Sequence, residues 1–388
     1  MSARVRPGLE RLIDDANDLV RGRRVGLVAH PASVASDLTH ATEVLRRAGA
    51  VTRALFGPEH GVGGEAQDME GVADGGSPLD EVPAHSLYGD SFASLSPRDA
   101  WLDGLDAVVI DLQDIGSRYY TFVWTAVLMA RACARRGVEV IVCDRPNPLG
   151  GDVIEGAPQL EAERSFVGLE CVPVRHGMTL GELVAWRAEL EGLAGVSVVE
   201  MQGWRRAMRF EDTGLPWVLP SPNMPTPDTA RVYPGGCLLE GTNLSEGRGT
   251  TRPFELFGAP WLDAEDLARA LRAEAGCAAR VTSFRPMFQK HAGVTCRGVQ
   301  LHVTDERRFS PYRAYLAALV AARRSRGFAW RTERYEFVDD RPAIDLLTGD
   351  PAVREALDGG AEVDDLCAIG ASRLAAWREG LPSLLRYR

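Results

Sequence analysis

The strongest constraint on the fold is a rhythm in the first half of the chain, where short unbroken apolar runs alternate with segments of helical length. The runs at 24–29, 51–56, 107–112 and 139–144 are each about as long as one strand and carry hydrophobic residues on both faces. Strands that face water on one side alternate apolar with polar residues, whereas strands covered on both sides read as continuous runs. Between them, 38–48 and 122–136 have helical character, and a further helix over 180–190 leads into a strand-like run at 196–201. Strand, helix, strand in repetition predicts a parallel sheet with helices on both faces.

Around 215–229 the texture changes. Pro216, Pro220, Pro222, Pro225 and Pro227 crowd into a stretch that suits neither helix interior nor central strand. The domain junction is placed here, giving an N-terminal domain over 1–228 and a C-terminal α+β domain over 229–388. The second part opens with a glycine-rich stretch at 233–258. Helices are expected near 263–275, 311–324 and 350–357, with an apolar-polar alternation at 298–303. A chain of 388 residues exceeds one ordinary core and suits two domains.

Composition narrows the partners. With 45% hydrophobic and 25% charged residues the chain is an ordinary globular protein, and no apolar run is long enough to span a bilayer. A net charge of −10 argues against nucleic acid and anionic membrane as partners, though not against a small anion gripped by local arginines. Seven scattered cysteines without a C-x-x-C pair read as reduced, buried thiols. The start of the chain has no apolar signal segment, so the expected location is cytoplasmic.

The chemistry collects where the predicted strands end. One ends in Gly57-Pro58-Glu59-His60-Gly61, another in Asp111 to Arg118 with Asp114 between, and another in Asp144-Arg145-Pro146-Asn147. In an open parallel sheet the carboxyl ends of all strands share one edge, where ligands bind, so these segments should converge. Glu59, in a loop bracketed by glycines and stiffened by Pro58, is the leading candidate. Carboxylates from different strand ends supply the acid and base of glycoside hydrolysis. Arg118, Arg145, Arg175 and Arg248 are candidates to grip a carboxylate, although each equally suits a structural ion pair. His176 precedes a helix whose N-cap is expected at Thr179. His60, Asp111, Asp114 and His176 form the set that a metal-dependent alternative would use, but no metal-ligand spacing is present. Neither a phosphate loop, a dinucleotide fingerprint nor G-x-S-x-G occurs, so no cofactor is expected. The dense hydroxyls, amides and carboxylates suit a carbohydrate.

Together these motifs resemble the exo-β-N-acetylmuramidase family of glycosidases. The resemblance rests on 56–61 (FGPEHG), 111–120 (DLQDIGSRYY), 144–149 (DRPNPL), 173–182 (PVRHGMTLGE), 220–226 (PSPNMPT), 233–235 (YPG) and 240–254 (EGTNLSEGRGTTRPF), in that order over nearly the whole chain. It implies a Rossmann-like domain followed by a smaller α/β domain, with the cleft between them. It further implies release of N-acetylmuramic acid from the non-reducing end of peptidoglycan-derived saccharides without a cofactor, in cell-wall recycling. Glu59 matches the expected catalytic glutamate and would protonate the leaving oxygen. Asp114 or Glu246 would take the second catalytic role, unless the substrate's own acetamido group does. His60, Asp111, Arg118, Arg145 and Asn147 match positions expected to bind substrate, as do Arg175, His176, Asn223, Asn243 and Arg248. Two rival readings are the metal-dependent hydrolase and a non-catalytic sugar-binding protein.

Overall fold

The four early apolar runs form the centre of a seven-stranded sheet in the computed structural model, which describes residues 4–67, 70, 75–76 and 82–388. Its strands are β1 (Arg24–Val28), β2 (Val51–Gly57), β3 (Gly75–Gly76), β4 (Pro83–Ser86), β5 (Ala107–Ile110), β6 (Glu139–Cys143) and β7 (Val196–Val199). They lie in the order β3-β4-β2-β1-β5-β6-β7, and all pairings are parallel except that of β3 with β4.

Alternation within β5 shows why the runs are unbroken. Ala107 and Val109 enter one core with Val44 and Leu45 of helix Ala41–Arg47. Val108 and Ile110 enter the other with Val123 and Val127 of helix Phe122–Arg136. Both faces are covered, so both residue parities must be apolar. Helix Leu180–Glu191 begins with the expected Thr179 cap: its hydroxyl accepts from Glu182 N, and the Glu182 side chain accepts from Thr179 N.

A second, antiparallel sheet of β8 (Leu256–Ala259), β9 (Cys277–Phe284) and β10 (Cys296–Val303), in the order β8-β10-β9, belongs to the later part of the chain. Helices Ala264–Arg272 and Pro311–Arg323 pack with it. The two-part α/β architecture is therefore as expected, but the proline-rich stretch does not read as irregular to its end. Thr226 accepts from Thr229 N and caps helix Pro227–Gly236, in which Pro227 occupies the first turn. Proline is at home there because that N–H has no helical partner in any case. The helix also takes up Tyr233 to Gly236, assigned from sequence to a glycine-rich opening.

The last residues return to the first sheet. Tyr387 packs among Met201, Trp204 and Met208, and its hydroxyl donates to Asp144 Oδ2 (2.7 Å) while accepting from Met201 N (3.0 Å). All seven cysteines are free. Among the described residues no helix is long and apolar enough to cross a membrane.

Candidate active site

Glu59 is presented by a tight turn immediately after β2. Gly61 N donates to Pro58 O at 2.9 Å, leaving Glu59 and His60 as the central residues, and His60 takes φ 73°. That is a left-handed position glycine would fill without strain. His60 is held there by its ring Nδ1, which meets Ala66 O at 2.8 Å. Gly57 is required by the same turn, since a Cβ on it would come within 2.6 Å of Val62 N. The Glu59 carboxylate accepts from Thr121 Oγ1 at 2.6 Å. Thr121 is the N-cap residue of helix Phe122–Arg136, yet its side chain caps nothing there; it is committed to Glu59.

The cleft around Glu59 has about 480 Å³ of empty space, open solvent included. Tyr120, Tyr233 and Phe254 form an aromatic wall, with ring edges meeting faces at 5.8 Å and 4.9 Å between centroids. Across it, Glu240 accepts from Arg248 Nη2 (2.7 Å) and from the Tyr335 hydroxyl (2.8 Å), while Glu336 accepts from Tyr88 (3.2 Å). Asn223 and Ser221 arrive on the proline-rich segment. His30 anchors that segment: its Nδ1 donates to Pro220 O (3.0 Å) and its Nε2 accepts from Gln113 N (2.9 Å). Burial pushes the His30 ring down to about 3, so it stays neutral and keeps this tautomer.

Of the residues singled out from sequence, Glu59, His60, Asn223 and Arg248 line this cleft. The others share its neighbourhood but serve as its foundation. Asp111 and Arg145 pair bidentately, with both oxygens at 2.7 Å from the guanidinium and both side chains buried. Arg118, fully buried, donates to the carbonyls of Val172 (3.2 Å), Ala157 (3.4 Å) and Leu347. Asn147 bonds Met178 O and Leu149 N, packed where Gly116 leaves room for it. Arg175 pairs with Glu155 at 3.0 Å and donates to Leu149 O. The expected convergence at the carboxyl edge is therefore real, but most of its charges are consumed within the protein.

Asp114 and His176 lie beneath the floor. Asp114 Oδ2 accepts from Gly116 N (2.7 Å) and stands 3.9 Å from His176 Nε2, both side chains being buried. Burial pushes the Asp114 carboxyl up to about 7 and the His176 ring down to about 3, so each favours its neutral form. Glu246 and Asn243 belong to an adjoining pocket rather than to the cleft around Glu59. Glu246 pairs with Lys290 at 3.0 Å. Asn243 brackets Gly327 O (2.7 Å) and Ala329 N (3.0 Å). The four residues of the metal-dependent reading are divided between wall and foundation. Among the described residues no group of three or more His, Cys, Asp or Glu side chains is arranged to hold a metal ion.

Sequence reasoning missed Thr121, Ser221, Tyr233, Glu240, Tyr335 and Glu336 as individual site residues. The first four lie in or directly beside the recognised motifs, so polar and aromatic side chains at motif borders were the available signal. Tyr335 and Glu336 had none.

Comparison with known proteins shows the family and the fold. A family model described as Exo-beta-N-acetylmuramidase NamZ, N-terminal, matches residues 25–228, and its C-terminal counterpart matches 231–387. The chain is 41% identical over 371 residues to the peptidoglycan beta-N-acetylmuramidase NamZ of Bacillus subtilis (strain 168), covering 94% of this chain and 86% of that protein. A solved DUF1343 family protein of Bacteroides fragilis NCTC 9343 superposes with a TM-score of 0.87 at 29% identity, covering 99% of each chain. A second from the same organism, at 24% identity, shares the fold with a TM-score of 0.74, covering 100% of this chain and 99% of its own.

Proposed function

We propose that this chain, which belongs to the exo-β-N-acetylmuramidase NamZ family, uses the Glu59 cleft to hydrolyse the glycosidic bond of a terminal N-acetylmuramic acid in peptidoglycan-derived saccharides. It is a glycoside hydrolase, and the observation that carries the assignment of chemistry to the cleft is the presentation of Glu59. A carboxyl group stands on a strained turn at the strand edge, oriented by Thr121 and enclosed by aromatic and polar walls from both parts of the chain.

Glu59 acts as general acid, delivering its proton to the leaving oxygen. A carboxyl whose rotamer is fixed by a hydrogen bond pays little ordering entropy at the moment of transfer. Tyr120, Tyr233 and Phe254 cover the apolar face of the sugar and keep bulk water away. Of the four arginines considered for the lactyl carboxylate, Arg248 is the one that reaches the cleft, and it takes that role beside Glu240. Asp114 and Glu246 stand outside this enclosure.

Glu59→Gln keeps the size of the side chain and its bond with Thr121 while removing the transferable proton. Turnover of a muramic-acid glycoside should fall by roughly 10²–10⁴-fold with binding retained. Turnover near the wild-type value would remove Glu59 from the chemistry. Binding of the saccharide by the wild-type protein with no product over long incubation would favour a sugar-binding protein instead.

A further inference from the structure

Beside the Glu59 cleft lies a larger pocket, with about 1270 Å³ of empty space against about 480 Å³, open solvent included in both. Glu240 lines the two of them, so the pockets adjoin at this side chain. We propose that this second pocket receives the saccharide on the leaving side of the scissile bond, a neutral N-acetylhexosamine laid against Trp330. The inference rests on the reading of the Glu59 cleft as the muramidase site.

Backbone strain marks both pockets. Among the described residues seven non-glycine positions have positive φ: Leu38, His60, Phe254, Gln289, His291, Glu336 and Phe337. Of these, His60, Phe254 and Glu336 line the cleft, while Gln289 and His291 line the second pocket. Such conformations cost energy, and proteins concentrate them where a side chain must be aimed at a ligand. Here the two strained residues flank Lys290 and turn it inward.

Trp330 is a prepared platform. Its indole N–H is shared between the two oxygens of Asp358 at 3.1 and 3.2 Å, and Phe328 meets it edge to face at 5.0 Å. The backbone beneath it is fixed by Asn243 and by pairing of Trp330 with Thr242. A half-buried aromatic face held on its polar edge has its flat side left for stacking.

Charge decides the class of ligand. Lys290 donates to Glu246 Oε2 and to Leu239 O, both at 3.0 Å. The deep charges neutralise one another, which suits hydroxyls and an acetamido group better than a second carboxylate. Lys290 is also the single lysine of the chain, all other basic side chains being arginine. It is therefore a unique side-chain target for amine chemistry inside this pocket.

The experiment compares two glycosides of N-acetylmuramic acid, one with an N-acetylglucosamine aglycone and one with a methyl aglycone, which offers no ring to stack on Trp330. Trp330→Ala should lower kcat/KM on the disaccharide roughly tenfold, equivalent to about 1.4 kcal/mol, and leave the methyl glycoside within about twofold. Trp330→Phe, which keeps a flat ring, should recover most of the loss. Equal losses on both substrates, or none on the disaccharide, overturn the proposal. In parallel, reductive methylation of Lys290, followed by peptide mass spectrometry, should slow when free N-acetylglucosamine is added to the wild-type protein and not to Trp330→Ala. An unchanged rate in the wild type counts against the pocket. If the wild type cleaves neither glycoside, the muramidase reading falls, and the Lys290 protection decides the saccharide site by itself.

Discussion

Replacing Asp111 by asparagine should damage the fold and spare the chemistry. The Asp111 carboxylate takes two bonds of 2.7 Å from Arg145, and the two side chains are 0% and 5% exposed. Asparagine preserves the shape but removes the charge, stranding a buried guanidinium whose remaining partner is Val34 O at 2.7 Å. Breaking a buried pair from one side costs about 3–5 kcal/mol, because the surviving charge is left without solvent or counter-ion. Against a typical total of about 5–15 kcal/mol, this is a large fraction. The double variant Asp111→Asn/Arg145→Met buries no charge and should be much less destabilised than the two single losses added together. The assay is urea unfolding followed by tryptophan fluorescence, with kcat measured per folded molecule on a muramic-acid glycoside. The reasoning fails if Asp111→Asn costs below about 1 kcal/mol, or if the single losses add in the double variant. A hundredfold drop in kcat without loss of stability would place the pair in the reaction instead.

Asp114→Asn tests the buried acid beneath the floor. The folded carboxyl holds its proton up to about 7, whereas its ordinary value is 3.8, so wild-type stability falls as pH rises from about 4 through 7. His176 is common to both proteins and drops out of the comparison. Measured by unfolding across this range, the variant should gain on the wild type from near zero at the acid end to a plateau above pH 7; a pH-independent difference contradicts the burial argument. Thr121→Val removes the donor that orients Glu59 and should cost roughly tenfold in kcat/KM, about what one hydrogen bond to a neutral carboxyl is worth; an unchanged value takes Thr121 out of the site. Tyr387→Phe strips Asp144 and Met201 N of their shared partner and should lower stability by about 1–3 kcal/mol in urea unfolding, with kcat unaffected.

The first sheet was legible because its strands are buried on both faces: nothing but a run such as Ala107 to Ile110 satisfies two cores at once. Helix Phe122–Arg136 was equally plain, ending on Gly137 at φ 66° as a helix should. The second sheet was only partly readable. β10 shows alternation, whereas β8 is a four-residue strand with glycine at its third position, and its identity depends on pairing with β10. The site divided in the same way. That charged motifs cluster at strand ends follows from topology, so Asp111 and Arg145 were correctly placed near one another. Which charges face a ligand and which face each other depends on side-chain pairing across more than thirty residues of sequence, as between Asp111 and Arg145. Glu336 illustrates the remaining difficulty: no glycine, proline or asparagine signals its φ of 45°, which it shares with Phe337 (φ 69°) as the two central residues of a tight turn closed by Tyr335 and Val338.

The bond from Tyr387 to Asp144 also sets an order of events during synthesis. Every strand of the first sheet has been translated by Val199, yet the tyrosine that completes its edge follows 188 residues later (387 − 199). At roughly 5–20 residues per second that interval is about 10–40 s. Throughout it Asp144 has Thr179 and Gly181 as donors but not Tyr387, and Glu182 lacks the backbone donors of Arg386 and Tyr387. The first sheet thus waits on Arg386 and Tyr387 for its final hydrogen bonds. Removing 385–388 would therefore act on the part of the protein that was made first.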